Sequence, residues 1–204
     1  MSNNKQENEI INVKLAVLGK SLVGKSALTY RYICDKFPTE HDTTVEDQYR
    51  VNLTIDDKKC DLEILDTAGQ DDYQTMLDIW IGFGNCFLLV YAIDDLDSFD
   101  SVKKKYERIC QLKTNEDFSV LIVGNKCDLS ESDRKVKNDD VESYCKSKSV
   151  EFLETSALKK INVKEAFTMI VHDYIIKISN NNSKNSRFSC PCFWVKIFLI
   201  YIIN

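Results

Sequence analysis

No segment of this 204-residue chain reaches the ~18 consecutive apolar residues that a membrane-spanning helix requires. A secretory leader is also missing: Met1 to Glu9 is polar and carries no apolar h-region. The sequence has no internal repeat, which sets aside solenoids and arrays. Its cysteines lack the paired spacing of a zinc site. It lacks a basic excess as well: 27 Lys and Arg stand against 32 Asp and Glu, for a net charge of −5. That balance argues against nucleic acid as a partner and leaves any membrane attraction to a local device.

Hydrophobic residues make up 44% of the chain, enough to build one ordinary core. Six of the eight cysteines (Cys34, Cys60, Cys86, Cys110, Cys127 and Cys145) are scattered singly through apolar stretches and read as reduced core thiols of a cytosolic protein. Strand-like and helix-like segments alternate. Val13 to Leu18 is an apolar run that ends in a glycine loop, and Lys25 to Cys34 has helical spacing. Val51 to Ile55 and Cys60 to Ile64 alternate about an Asp56-Asp57 turn, as in a hairpin. Cys86 to Ile93 and Val120 to Val123 read as strands buried on both faces. Ser98 to Leu112, Asp140 to Lys146 and Val163 to Ile178 read as helices, and Phe152-Leu153 as a short strand. This order predicts an α/β fold of parallel strands joined by crossover helices, with one antiparallel hairpin. The expected organisation is a flexible extension over residues 1–10, a domain over 11–178, and a tail over 179–204 that is disordered or membrane-associated. The tail opens on the polar stretch Asn180 to Ser186, whose composition marks a linker.

Ligands of such sheets sit at the carboxyl ends of the strands, and five polar motifs fall there. Gly19-Lys20-Ser21-Leu22-Val23-Gly24-Lys25-Ser26, with Ala27 after it, follows a strand and opens a helix. That is the context of a phosphate-binding loop: backbone N–H groups cradle a β-phosphate, Lys25 bridges the β- and γ-phosphates, and Ser26 sets a hydroxyl on Mg²⁺. Asp66-Thr67-Ala68-Gly69-Gln70 puts a carboxylate at the next strand end, suited to Mg²⁺ through water. Gly69 lets a backbone N–H swing onto a γ-phosphate, and Gln70 can orient an attacking water. Asn125-Lys126-Cys127-Asp128 offers a carboxylate to the two N–H donors on one edge of guanine, an edge adenine does not have. Glu154-Thr155-Ser156-Ala157 allows a backbone N–H to reach guanine O6. Thr44 lies in a polar stretch and could complete a Mg²⁺ shell while a γ-phosphate is present. Taken singly, each of the last four has a bland reading as a capping residue or polar turn; the co-occurrence carries the argument.

The order and spacing of these motifs resemble the Ras family of small GTPases over residues 11 to about 178. The resemblance implies the P-loop GTPase (G-domain) fold, a mostly parallel six-stranded sheet with helices on both faces. It implies a Mg²⁺-dependent GTPase switch that cycles between GTP and GDP. It also implies that Phe37 lies edge-on against guanine, that Lys126 covers base and ribose, and that Thr67 and Ala68 join the nucleotide site. His41, Asp42, Thr43, Thr44, Val45, Glu46, Asp47, Gln48 and Tyr49 would form the effector edge. Partners would then be an exchange factor, a GTPase-activating protein and an effector that adds a strand there.

The chain departs from Ras itself at five positions. Ser21 and Leu22 replace two glycines; Rab relatives carry Ser at the first and Rho relatives carry Ala at the second. In Ras-type members a side chain at the first position obstructs the arginine finger of the activating protein. His41 stands where Ras has Tyr, Thr43 where it has Pro, and Leu158 where it has Lys beside the base, so faster nucleotide exchange is expected. A competing reading is a GTP-binding, effector-recruiting module with impaired hydrolysis caused by Ser21 and Leu22. A nucleotide kinase is disfavoured by Asn125 to Asp128 and by the lack of an obvious lid segment.

The C-terminus ends Tyr-Ile-Ile-Asn, which is no prenylation box, whereas Cys192-Phe193-Trp194-Val195 would be one if the chain stopped at Val195. Cys190 would suit a second acyl chain, and two lipid signals give stable anchoring. Every residue from Lys196 to Asn204 can be encoded by A and T alone, the pattern of translation drawn through non-coding sequence. The alternatives are an apolar tail that lies on a bilayer and a tail without function. The favoured expectation is a lipidated protein on the cytoplasmic face of the plasma membrane.

Overall fold

The computed structural model describes residues 10–38, 46–69 and 74–185. Eleven elements follow in order: β1 (Ile11–Leu18), α1 (Lys25–Cys34), β2 (Glu46–Ile55), β3 (Lys58–Thr67), α2 (Gln74–Phe83), β4 (Cys86–Ala92), α3 (Leu96–Leu112), β5 (Ser119–Asn125), α4 (Asn138–Lys148), β6 (Glu151–Glu154) and α5 (Val163–Asn185). They build one six-stranded sheet in the order β2-β3-β1-β4-β5-β6. Only the β2–β3 pair is antiparallel. Its tight turn is made by Asp56 and Asp57, both left-handed with φ of 49° and 62°. Two consecutive positive φ values match the right-handed twist of the flanking strands, and Asp tolerates that region better than most residues.

The period-two rule sorts the core. On β1, Val13, Leu15 and Val17 join one buried cluster, and Ala16 and Leu18 the other. The same alternation divides Cys86, Leu88 and Val90 from Phe87, Leu89 and Tyr91 on β4. The first cluster is covered by α1 and α5 through Leu28, Phe167, Ile170 and Val171, with Tyr32 stacked on Phe167 at 4.1 Å between ring centres. The second is covered by α2, α3 and α4 through Trp80, Ile81, Phe99, Val102, Ile109 and Val141. Both sheet faces are therefore closed, as the continuous apolar runs of β4 and β5 require.

Three expectations need correction. The pattern of strands and helices read from the sequence has no element between Ile64 and Cys86, where α2 lies. Leu77, Trp80 and Ile81 nonetheless carry helical spacing and pack under the sheet. Residues 180–185 of the polar stretch expected to be a linker are the end of α5, which continues past Ile178 to Asn185. An established helix propagates cheaply, and side-chain bonds hold this end of the helix: Lys58 Nζ donates to Ser179 Oγ, just before the stretch, at 2.8 Å, and Asn181 Nδ2 within it to Asp117 Oδ1 at 2.5 Å. Of the six single cysteines, all free, Cys60, Cys86 and Cys145 are buried, but Cys34 is exposed and Cys110 and Cys127 are half-buried. Cys34 is the last residue of α1, where the chain turns out through Asp35.

Candidate nucleotide site

The parallel register brings the carboxyl ends of β1, β3, β5 and β6 to one edge of the sheet. Val17 pairs with Asp66, and Gly124 with Glu154. The loops that leave these ends carry the expected residues. Outside the described residues lie Gln70, His41, Asp42, Thr43, Thr44, Val45, Cys190 and Cys192.

The loop after β1 wraps closely. A Cβ on Gly19 would overlap the Val90 carbonyl, and one on Gly24 would overlap the Asn125 amide. Gly24 also has φ of 92°, so glycine is required there on two counts. Leu22 has φ of 67° with its side chain 90% exposed, a left-handed conformation that costs an L residue about 1 kcal/mol. Buried Lys25 at the start of α1 donates from Nζ to Lys20 O at 3.1 Å. The Lys20 ammonium turns to the other side, 3.7 Å from Asp97 and 4.0 Å from Asp95.

Asp66 is only 1% exposed, and its Oδ1 accepts no hydrogen bond. Burial pushes its carboxyl up to about 6; the Ser26 hydroxyl bonded to it and the Lys25 ammonium pull it back. A buried, under-satisfied carboxylate beside a hydroxyl suits a hard cation such as Mg²⁺, which takes one or two protein oxygens and completes its shell with phosphate and water. Among the described residues no group of three His, Cys, Asp or Glu side chains could hold a metal alone. Thr67 differs from its neighbours: its hydroxyl donates to Val17 O at 2.8 Å, so its side chain fastens β3 to β1.

The raised Asp66 carboxyl has a pH consequence. In the unfolded chain the group titrates near 3.8, so between about pH 4 and 6 the native state holds more protons. Stability of the metal-free, nucleotide-free protein is therefore expected to fall as pH rises through that window and to level off above it. The gap corresponds to at most ~3 kcal/mol. Urea unfolding of the parent and Asp66→Asn in EDTA at several pH values measures this. Equal slopes in the two proteins would exclude Asp66 as the source.

On the base side, Asn125 ties three loops. Its Nδ2 donates to Val23 O at 2.8 Å, and its Oδ1 accepts from Ala157 N and Thr155 Oγ1, both at 3.3 Å. Ser156 Oγ donates to Asp128 Oδ1 at 2.5 Å and accepts from Lys159 N at 2.9 Å. Lys126, at φ of 68°, is held by Asp94 at 3.2 Å. Phe37 is half-buried against the first core cluster, with Arg31 5.9 Å from its ring centre.

Sequence reasoning missed two supporting groups. Arg31 on α1 donates from Nε to Ala157 O at 2.8 Å and from a terminal nitrogen to Leu158 O at 3.0 Å, clamping the loop after β6. Asp94 pairs with Lys126 across 32 positions. Neither sits in a motif; only the tertiary fold brings them to the loops. On the far edge of the sheet, Glu46, Asp47, Gln48 and Tyr49 lie on β2, which is an edge strand among the described residues. Trp80 Nε1 donates to Glu46 Oε2 at 2.8 Å, joining α2 to that edge.

The family model described as "Ras family" matches residues 14–176. The Ras-like protein rasB of Dictyostelium discoideum is 45% identical over 160 residues, covering 78% of this chain and 81% of the relative. The Ras-like protein rasC of the same organism is 41% identical, covering 88% and 94%. The Ras-like protein RAS2 of Hydra vulgaris is 41% identical, covering 83% and 85%. With its sheet order, its single antiparallel pair and matches of this extent, the chain belongs to the Ras family: it is a small GTPase, a signalling switch that hydrolyses GTP.

Proposed function

We propose that the cleft at the carboxyl ends of β1, β3, β5 and β6 binds GTP or GDP with Mg²⁺, and that hydrolysis there rearranges the loops on either side. The observation that carries this is the buried Asp66 carboxylate with an unused oxygen beside Ser26, at the mouth of the phosphate loop. In this reading Gly19 to Ala27 cradle the phosphates and Lys25 neutralises the β- and γ-oxygens. Ser26, Thr44 and Asp66 would hold the Mg²⁺. When bound, Mg²⁺ neutralises charge that builds on the phosphate oxygens. Gly69 offers its N–H to the γ-phosphate and Gln70 orients the water. Asp128 and Ala157 read guanine, Ser156 positions Asp128, Asn125 braces the site, and Phe37 and Lys126 enclose the base. The strand edge of β2 takes an effector, with His41 to Val45 part of the same effector region, and an exchange factor and an activating protein act on the cycle.

The second reading, a GTP-binding, effector-recruiting module with impaired hydrolysis, is favoured by Ser21 and Leu22; a side chain at 21 crowds an incoming arginine. An activating protein ordinarily adds ~10³–10⁵ in rate; here the gain is expected to fall below that range and to rise in Ser21→Gly. Single-turnover GTP hydrolysis, with and without a Ras-type activating protein, measures both. A full gain in the parent would sink the crowding argument, and absence of any turnover would sink the switch. Attachment to the cytoplasmic face of a membrane, through a prenylated Cys192 and an acylated Cys190, is read by the intact mass of the native protein.

A further inference from the structure

Arg31 lies in the last turn of α1, and each of its three guanidinium nitrogens donates to a backbone carbonyl. Two of them hold the loop after β6, at Ala157 O and Leu158 O. The third donates to Asp35 O at 3.1 Å. The Arg31 carbonyl in turn accepts from Asp35 N, also at 3.1 Å. Residue 35 is thus gripped at both its N–H and its C=O. It has φ of 57°, a left-handed conformation unfavourable for an L residue. The turn made there leads to Phe37, whose half-buried ring lies 5.9 Å from the same guanidinium, within reach of a cation–π attraction. A planar fork of donors fixes direction as well as distance, which a point charge does not. Lys160 Nζ and Asp35 Oδ1, 2.5 Å apart, join the same two segments at the exposed surface, where an ion pair adds little.

We propose that Arg31 is a positioning residue for the guanine base: it holds the turn that leads to Phe37 and the loop that carries Ala157 at a fixed separation, and so slows nucleotide release. The inference rests on the reading of Phe37 and Ala157 as walls of the base pocket. One side chain then braces two walls that are far apart in sequence. The brace also opposes the loosening expected from Leu158, because it grips the carbonyl of that residue and not its side chain.

The test compares the full-length parent with Arg31→Gln and Arg31→Lys. Three quantities are measured on each: release of fluorescent GDP, single-turnover hydrolysis of prebound GTP, and hydrogen–deuterium exchange of the peptide from Thr155 to Lys160. Loss of one net charge-assisted hydrogen bond corresponds to roughly tenfold or more. Arg31→Gln is expected to release GDP faster by about that factor and to exchange faster in the loop after β6. Hydrolysis is expected to change far less, because neither braced segment carries a group assigned to the γ-phosphate. Arg31→Lys keeps a charge near the helix end but loses the fork, so it is expected to release GDP nearly as fast as Arg31→Gln. Parental loop exchange in Arg31→Gln overturns the brace itself. Parental release in Arg31→Lys would show that charge alone suffices, and overturns the fork. A hydrolysis defect as large as the release defect would mean general loosening and overturns the positioning role. Faster exchange with parental release in Arg31→Gln overturns instead the reading of that loop as a wall of the base pocket, and the positioning role with it.

Discussion

Asp128→Asn is expected to lose GTP and GDP affinity by a factor on the order of 10²–10⁴ and to gain affinity for xanthine nucleotides. The direction follows from the neighbours of the carboxylate. The Ser156 hydroxyl donates to Asp128 Oδ1. That hydroxyl already accepts from Lys159 N, so its proton is committed to residue 128. An asparagine in this place keeps its carbonyl toward Ser156 and turns its amide toward the base. Guanine presents two donors on that edge, so a donor meets donors and two charge-assisted hydrogen bonds, worth ~1.5–3 kcal/mol each, are lost. Xanthine carries an oxygen at the 2-position and accepts from the new amide. Competition against a fluorescent GDP reads both effects. An asparagine variant that binds GTP as tightly as the parent would show that Asp128 does not read the base.

The split between what the sequence revealed and what it concealed follows the range of the interactions. Local chemistry was legible. Gly24 must precede a helix, Asp66 must end a strand, and β4 and β5 must be buried on both faces; each follows from residue type and spacing within a short window. The first helix was read with the same ends that it has, Lys25 and Cys34. Long-range ties were not legible. Arg31 reaches Ala157 across 126 positions and Lys126 reaches Asp94 across 32, and no spacing rule joins such pairs. The asparagine run at the end of α5 misled for a related reason. Its composition is that of a linker, but the bond from Asn181 to Asp117, like that from Lys58 to Ser179 just before the run, is set by where the helix lies.

Asn125 is the residue in which fold and site are hardest to separate, and Asn125→Ala is expected to damage both. The side chain is 2% exposed and makes three hydrogen bonds, one to the loop after β1 and two to the loop after β6. Truncation leaves the Val23 carbonyl and the Ala157 N–H without these partners in a buried place. Unsatisfied buried groups cost ~1–3 kcal/mol each, so a loss of about 2–4 kcal/mol is expected for the nucleotide-free protein. The same cut frees the phosphate loop from the loop after β6, so groups that bind opposite ends of one nucleotide no longer hold a fixed separation. Small misplacements of positioned groups are expensive, and nucleotide release is expected to accelerate by ~10²-fold. Asn125→Asp separates the two halves of the argument. It keeps the acceptor for Ala157 N and Thr155 Oγ1, but it sets a carboxylate oxygen against the Val23 carbonyl, where Nδ2 now donates at 2.8 Å. Its defect is therefore expected on the phosphate-loop side, with faster release and with the loop after β6 still protected from hydrogen exchange. Chemical denaturation without nucleotide, together with release of fluorescent GDP, measures the two losses. If Asn125→Ala keeps parental stability and parental release, these three bonds are not what holds the site together.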